Sequence, residues 1–392
     1  MIMRILDIRH ITVPIASEMA NAFISFAKMD VSVLAIVTDQ VRDGKPLVGY
    51  GFNSNGRYAQ PGILSHRIIP RVLAAAPDAL IDPATGHLDP ERIWAAAMRD
   101  EKPGGHGDRA VAVGILDMAA WDLAAKLGGV SVAQLIAQRS PAGRGTPLDK
   151  VWVYAAGGYY YPGRGTVALR EEMTGYLDAG YRTVKMKIGG APLAEDLARI
   201  EAVLDILPAG CSLAVDANGR FTADRAVQYA EALSALPLHW YEEPVDPLDY
   251  HGLSAVADRY PGVLATGENL LSSQDAANLV RYGGLRPDRD VLQMDSALSY
   301  GFTEYQRTLS NLDKSGWSAS SCVPHGGHQF NLAIAAGCGL GGAESYPGIF
   351  EPFGGFADGD EVRDGYVAPS QGPGIGLERK SSLRPVLVQL EQ

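Results

Sequence analysis

Thr183–Gly190, TVKMKIGG, sets Lys185 and Lys187 two residues apart in a short β-branched run that stops at two glycines. In a strand, residues two apart share a face, so both amines project together near the strand's C-terminal end. Crowded ammonium groups repel, and the crowding is expected to lower the pKa of each. A lysine needs that if it is to serve as a base near neutral pH. Taken alone, the pair is a weak signal and fits a solvated pair on an edge strand better. The series that follows decides the matter. Asp216, Glu242, Glu268, Asp295, His325 and Glu344 come at intervals of 26 to 30 residues as far as His325, and then 19.

Each interval but the last is about one β/α unit of a barrel, so one group per strand end would gather all seven around one mouth. Asp216, Glu242 and Glu268 on neighbouring strands would repel badly without a cation among them, and an all-carboxylate set favours a hard ion such as Mg2+. Glu243 points the other way on a strand and reads as structural; Asn218, two after Asp216, can face the same ligand. An acid bonded to an imidazole fixes its tautomer, which is the reading of Asp295 and His325. His328, in PHGGHQ, reads as structural. Glu344 could donate to or accept from a ligand carboxylate. Such an array suits removal of a proton beside a carboxylate, with the ion stabilising the charge that develops. Lys187 and His325 flank the substrate; one would remove the proton and the other protonate a leaving hydroxyl.

Elements must bring these groups together. From about Val151 onward, short apolar runs alternate with helical patterns: VWVYAAG, TVKMKIG, SLAVDANG, HWYEEP, VLATGEN, VLQMDSA, WSASSCVPHG and AESYPGIF, about eight β/α units. That implies parallel strands closing into a barrel. Before it, residues 4–51 read as strands ending in the loop GFNSNGRY, with Asn53, Asn55 and Arg57, and residues 61–138 read as helices. The stretch Ala16–Asp30 between the first strands carries Asn21 and Lys28. The loop EKPGGHGDR holds Lys102, His106 and Arg109, of which His106 reads as structural. The Gly- and Pro-rich tail is expected to return to the first block, and its GPGIG lacks the spacing and the helix of a dinucleotide loop.

Composition narrows the function classes. A net charge of −11 with no basic stripe argues against nucleic acid. Three cysteines, Cys211, Cys322 and Cys338, fit a reducing compartment rather than a disulfide framework, and Cys322 reads as a buried filler. No apolar run approaches the length of a membrane span, and the N-terminus is unlike a signal peptide. A cytoplasmic protein is expected.

TVKMKIG, AVDANG, YEEP, GEN, MDSA and PHGG, in that order, resemble the enolase superfamily, and the lysine pair with the Asp295–His325 dyad is similar to its mandelate racemase branch. Closer still, GFNSNGRY, EKPGGHG, YAAGGYYYPG, YRTVKMKIGG, LSYG and PHGGHQ resemble the D-tartrate dehydratase family. The dyad strand's LSYG departs from the Gly-Gly pair more usual in the superfamily and leaves the catalytic assignment intact. The resemblance implies an α/β fold, a modified TIM-type (β/α)7β barrel in residues 146–364. An α+β capping domain in 1–145, completed by the tail 365–392, would cover the mouth. It implies Lys187 as base, His325 oriented by Asp295 as acid, and Lys185 beside them. It also implies one Mg2+ per subunit on Asp216, Glu242 and Glu268, with substrate contacts at Asn21, Asn55, Lys102, Lys185, Asn218 and Glu344. The implied reaction is dehydration of a small hydroxy diacid, D-tartrate, to oxaloacetate, with no nucleic acid or membrane partner and a homo-oligomeric assembly. The polar cap loops agree with an anionic substrate. The residues alone do not separate D-tartrate from other acids, so a dehydratase, racemase or epimerase of another acid sugar or hydroxy diacid stays open. A non-catalytic acid-binding or scaffold relative is the alternative of another class, although such relatives usually lose a ligand or a base and none is missing here.

Overall fold

The computed structural model describes residues 3–15 and 17–391. Met1, Ile2, Ala16 and Gln392, which fall in the stretches read above as the N-terminal block and the tail, lie outside the described residues. The first block is an antiparallel sheet in the order β1 (Ile5–Pro14), β2 (Asp30–Arg42), β3 (Lys45–Phe52). β2 is the middle strand and is buried from Val31 to Thr38, because both of its faces are covered. Side-chain alternation divides those faces. Val31, Val33 and Ala35 join the large core that continues into the barrel. Leu34 and Ile36 join a second core with the helices Ile69–Leu73, Pro90–Ala97 and Asp108–Gly128.

The helix Asp108–Gly128 is buried nearly all round, since it is wedged between sheet and barrel. It crosses β3 at Gly49 and Gly51, where a Cβ would lie 2.2 Å from the Ala119 carbonyl and 2.1 Å from that of Ile115. On the barrel side, the Thr303 amide donates to Asp117 Oδ2 at 3.2 Å, so this buried acid caps the barrel helix Phe302–Lys314 from outside.

The barrel strands are parallel: β4 (Val151–Ala156), β5 (Thr183–Lys187), β6 (Ser212–Asp216), β7 (Leu238–Glu242), β8 (Leu264–Thr266), β9 (Val291–Leu292) and β10 (Ala343–Ser345), ordered β10-β4-β5-β6-β7-β8-β9. The curled sheet is joined end to end by residues 322–325. Val323 and His325 amides donate to the Leu292 and Gln293 carbonyls at 2.8 and 3.2 Å, while Gly341 and Glu344 amides donate to Cys322 and Pro324 at 3.0 and 3.2 Å. Helices from Thr166–Asp178 to Gln329–Cys338 connect successive strands around the outside. Cys322 is fully buried.

The tail runs back across both parts. Tyr366–Val367 pairs antiparallel with β4, and the final helix, Arg384–Glu391, lies on the first sheet. Buried Asp122 ties these pieces together: it accepts from the Ile375 amide (2.7 Å), the Tyr50 amide (2.9 Å) and Lys126 Nζ (2.6 Å). Among the described residues no helix is long and apolar enough to cross a membrane.

Candidate active site

Strand register brings the first groups together. Lys187, Asp216 and Glu242 are directly paired across β5, β6 and β7, so they stand side by side at the strand ends, and Glu268 follows β8 by two residues. Asp216, Glu242 and Glu268 are all buried, and each offers an oxygen within 4.8 Å of the others. Glu268 Oε2 is buried without a hydrogen-bond partner; its charged neighbour His325 Nε2 is beyond bonding distance at 3.7 Å, so the oxygen is open to a further positive partner. Three converging carboxylates with one free oxygen fit a hard divalent ion such as Mg2+. The Trp240 indole and the Gln293 amide donate to Glu242 Oε2 at 2.7 and 2.9 Å, which fixes that carboxylate and leaves Oε1 toward its neighbours. Burial, then the charge of Asp216, pushes the Glu242 carboxyl up to about 8.

The lysines differ from expectation. Burial acts to lower both pKa values, and Lys185 also acts to lower that of Lys187, but both stay raised. Lys187 Nζ lies 2.5 Å from Asp216 Oδ2, and Lys185 Nζ is paired with Glu242, with Glu344 (2.8 Å) and with Asp216 (3.4 Å). The carboxylates in contact outweigh burial and the second ammonium. Asp216 responds in the opposite sense: burial opposes its charge, yet Lys187 and Lys185 hold it well below the usual carboxylate range. A cation on the triad would compete with both ammoniums for these oxygens and weaken the support that keeps them charged.

His325 is held at both ring nitrogens. Nδ1 lies 3.0 Å from Asp295 Oδ2 and Nε2 lies 3.0 Å from Tyr346 Oη. Burial opposes the charged ring, but the carboxylates of Glu268 and Glu344, each 3.7 Å from Nε2, and of Asp295 push it up to about 9. Asp295 Oδ1 accepts from the Ala297 amide and from Asn331 Nδ2, both at 2.9 Å. Burial also opposes the Asp295 charge, and the bond to His325 holds its carboxyl below the usual range. His328 sits behind the dyad, where its Nδ1 accepts from the Asn331 amide and caps the helix Gln329–Cys338. Burial drives its pKa down to about 4. Glu344 Oε2 accepts from the Gly326 amide at 2.9 Å, and Lys185 holds Glu344 low against its burial.

Part of this array faces a cavity of about 400 Å³. Lys187, Asn218, Glu268 and His325 line it from the barrel, and Asn21, Asn55 and Arg57 from the cap. Lys185 and Glu344 lie buried beneath, joined to each other. Asn55 Nδ2 donates to the Gly326 carbonyl at 3.0 Å, and Asn55 Oδ1 and Asn218 Oδ1 are buried without partners. The wall is less uniformly polar than the cap loops suggested: Phe23, Ile24, Phe26 and Phe350 also line it. Lys102 is not among the lining residues. It is exposed, and its loop is held by Arg109, whose guanidinium donates to the Lys102 and Gly104 carbonyls at 3.1 and 2.6 Å. His106 bonds Tyr300 Oη at 3.1 Å, away from the cavity. Glu243 accepts twice from Asn269 Nδ2, at 2.9 Å each.

Sequence reasoning missed Tyr346, Gln293, Asn331 and Tyr159. Two of these carried a signal: Tyr346 lies two residues after Glu344, and Gln293 two before Asp295, so each shares a face with a residue already singled out. Tyr159 lies in a loop, its ring 5.0 Å from Lys187 Nζ, and Asn331 lies on a helix, so neither follows from strand spacing.

The family described as Enolase C-terminal domain-like matches residues 168–382. The L-talarate/galactarate dehydratase of Salmonella typhimurium is 25% identical over 378 residues, which is 95% of this chain and 87% of that enzyme. The 3,6-anhydro-alpha-L-galactonate cycloisomerase of Streptomyces coelicolor is 30% identical over 249 residues, 63% of this chain and 64% of its own length. In three dimensions the chain is similar to the L-talarate dehydratase of Polaromonas sp. JS666, a structure complexed with Mg and L-glucarate. The TM-score is 0.74 at 25% identity, covering 95% of this chain and 94% of that one. A racemase of Streptomyces coelicolor with bound magnesium has the same fold, with a TM-score of 0.75 at 24% identity over 95% and 96% of the two chains.

Proposed function

The chain belongs to the Enolase C-terminal domain-like family of the enolase and mandelate racemase superfamily, and from that premise we propose that it is a Mg2+-dependent hydro-lyase that converts D-tartrate to oxaloacetate. On this reading residues 146–364 form the catalytic barrel, and 1–145 with 365–392 form the cap. One observation carries it: an amine, Lys187, and a carboxylate-bound imidazole, His325, come from separated staves into one cavity that the acidic triad also enters through Glu268. Asp216, Glu242 and Glu268 would hold Mg2+, which when bound supplies a Lewis acid for the substrate carboxylate. Lys187 takes the α-proton at Nζ. His325, its Nδ1 anchored by Asp295, is the proton source for the departing hydroxyl. Lys185 and Glu344, salt-bridged below, fix the floor. The unpartnered amide oxygens of Asn55 and Asn218 can accept from substrate hydroxyls, Asn21 offers an amide at the cavity wall, and Arg57 meets the second carboxylate.

D-tartrate is favoured by the motif resemblance, and the anion-binding donors of the cavity suit a small diacid. The two dehydratases and the cycloisomerase above are named for longer acids, which favours a second reading: dehydration or epimerisation of another acid sugar. The test is incubation of the Mg2+-loaded protein in D2O with D-tartrate, galactarate, L-talarate and arabinonate, followed by NMR. Oxaloacetate from D-tartrate, at a rate above that on the longer acids, supports the proposal. Turnover of a longer acid alone selects the second reading, α-proton exchange without water loss selects an epimerase, and inertness on all points to an acid-binding relative.

A further inference from the structure

We propose that Tyr346 is a further catalytic residue, carrying the proton from His325 to the hydroxyl that leaves; this rests on the dehydratase reading above. With its Nδ1 hydrogen directed at Asp295 Oδ2, His325 can exchange a proton with the cavity only through Nε2, and Tyr346 Oη stands on that nitrogen at 3.0 Å. Tyr346 also lines the cavity, although only 1% of the residue is exposed. Its place is built rather than incidental. Gly327 has φ +56°, and a Cβ there would come 2.3 Å from Tyr346 Cδ2, so position 327 must be glycine for the ring to fit. Phe350 packs edge-on at 4.9 Å between centroids. Space-filling alone would be met by phenylalanine; the hydroxyl on the imidazole is what needs a reason.

The step balances without a further co-reactant. Once Lys187 has taken the α-proton, the electron pair left on that carbon forms the C=C bond, and the β C–O bond breaks with its pair going to oxygen. That oxygen takes the Tyr346 Oη proton, and Oη takes the proton from His325 Nε2. Water, an enol and a neutral imidazole result, with the tyrosine restored.

Tyr346→Phe separates this role from a structural one. In the Mg2+-loaded protein with D-tartrate in D2O, oxaloacetate release should fall by about 10²- to 10³-fold, while deuterium still enters the α-position of unreacted substrate because Lys187 is untouched. With 3-fluoromalate the loss should be smaller by roughly tenfold or more, since fluoride leaves without a proton. Equal losses on both substrates, loss of exchange together with dehydration, or full retention of dehydration each overturns the relay. Tyr346→Leu takes the same tests if circular dichroism shows that the phenylalanine variant does not fold. Should the parent prefer another acid of the panel, the comparison is made on that acid. A parent that dehydrates none of them overturns the underlying reading and the relay together, whereas an active parent with an unaffected variant overturns the relay alone.

Discussion

The barrel rim and the cap loops build one cavity by different means. On the rim, side chains are fixed by strand register and spend their polar atoms on each other: Lys187 on Asp216, Lys185 on Glu242 and Glu344, His325 on Asp295. In the cap, the asparagines hold backbone. Asn21 Oδ1 accepts from the Phe23 and Ile24 amides at 2.9 and 2.7 Å, and Asn55 Nδ2 donates to the Gly326 carbonyl. On the proposed function, the rim would set what reaction occurs and the cap would set which acid fits. Rim substitutions should therefore change kcat, ion affinity or proton exchange, and cap substitutions should change KM.

The severest test of that division is Lys187→Ala. It should lower both α-proton exchange and turnover by about 10³- to 10⁴-fold, as read by NMR in D2O. An active variant would remove the rim's claim to the chemistry. Next comes Glu268→Gln, which takes a charge from the triad without changing its size. Mg2+ affinity measured by calorimetry should drop by about 100-fold, with the fold intact by circular dichroism. Unchanged affinity would place the ion elsewhere.

How much of this was legible in the sequence follows the same divide. The strand ends could be read because a β/α unit has nearly constant length and residues two apart share a face, so a charged residue at each interval marks the rim. The charge states of the lysines were misread, because spacing along one strand reveals the neighbouring ammonium but not the carboxylates of the next strands. The cap was legible as donors in loops but not as geometry. Nothing in GFNSNGRY or EKPGGHG says that the first enters the cavity while the second is pinned outside by Arg109. Nor does the Ala16–Asp30 stretch announce that it brings Phe23, Ile24 and Phe26 to the wall.

Asn331 tests whether the rim depends on support from behind. It is buried, and its Nδ2 donates to Asp295 Oδ1 while its Oδ1 accepts from Ser296 Oγ at 2.5 Å. Asn331→Ala should cost about 2–3 kcal/mol in urea unfolding, and less than 1 kcal/mol would show the dyad to be self-supporting. Asp117, where the cap helix meets the barrel, gives a smaller, pH-dependent effect. Burial raises its carboxyl from 3.8 to about 7. The contribution of its neutral form is complete below pH 3.8 and is lost as pH rises through 7. Asp117→Asn should therefore gain on the parent between pH 5 and 8 by about 1–3 kcal/mol, read from urea midpoints. Parallel curves would mean the acid is ionised throughout.

The smallest expected effect belongs to Lys102→Ala, and it sharpens the comparison most. The motif resemblance places this lysine among substrate contacts, whereas within one chain its side chain is exposed and absent from the cavity wall. The loop cannot swing inward cheaply. Arg109 holds the Lys102 and Gly104 carbonyls and also Glu101 Oε2 at 2.9 Å, and Glu101 is itself bonded by Arg67 and Arg71. Releasing that set would break several charge-assisted bonds, each worth about 1.5–3 kcal/mol. If the site is complete within one chain, KM for D-tartrate should change by less than about twofold, in keeping with the small effect of surface substitutions. A rise in KM of tenfold or more, with kcat preserved, would mean that Lys102 reaches a cavity after all, and the rigidity of its loop leaves a neighbouring copy's cavity as the one to reach. Sedimentation at the assay concentration then decides: a monomer that still shows the KM rise would refute the pinned loop, and an oligomer would extend the cap's control of fit across two chains.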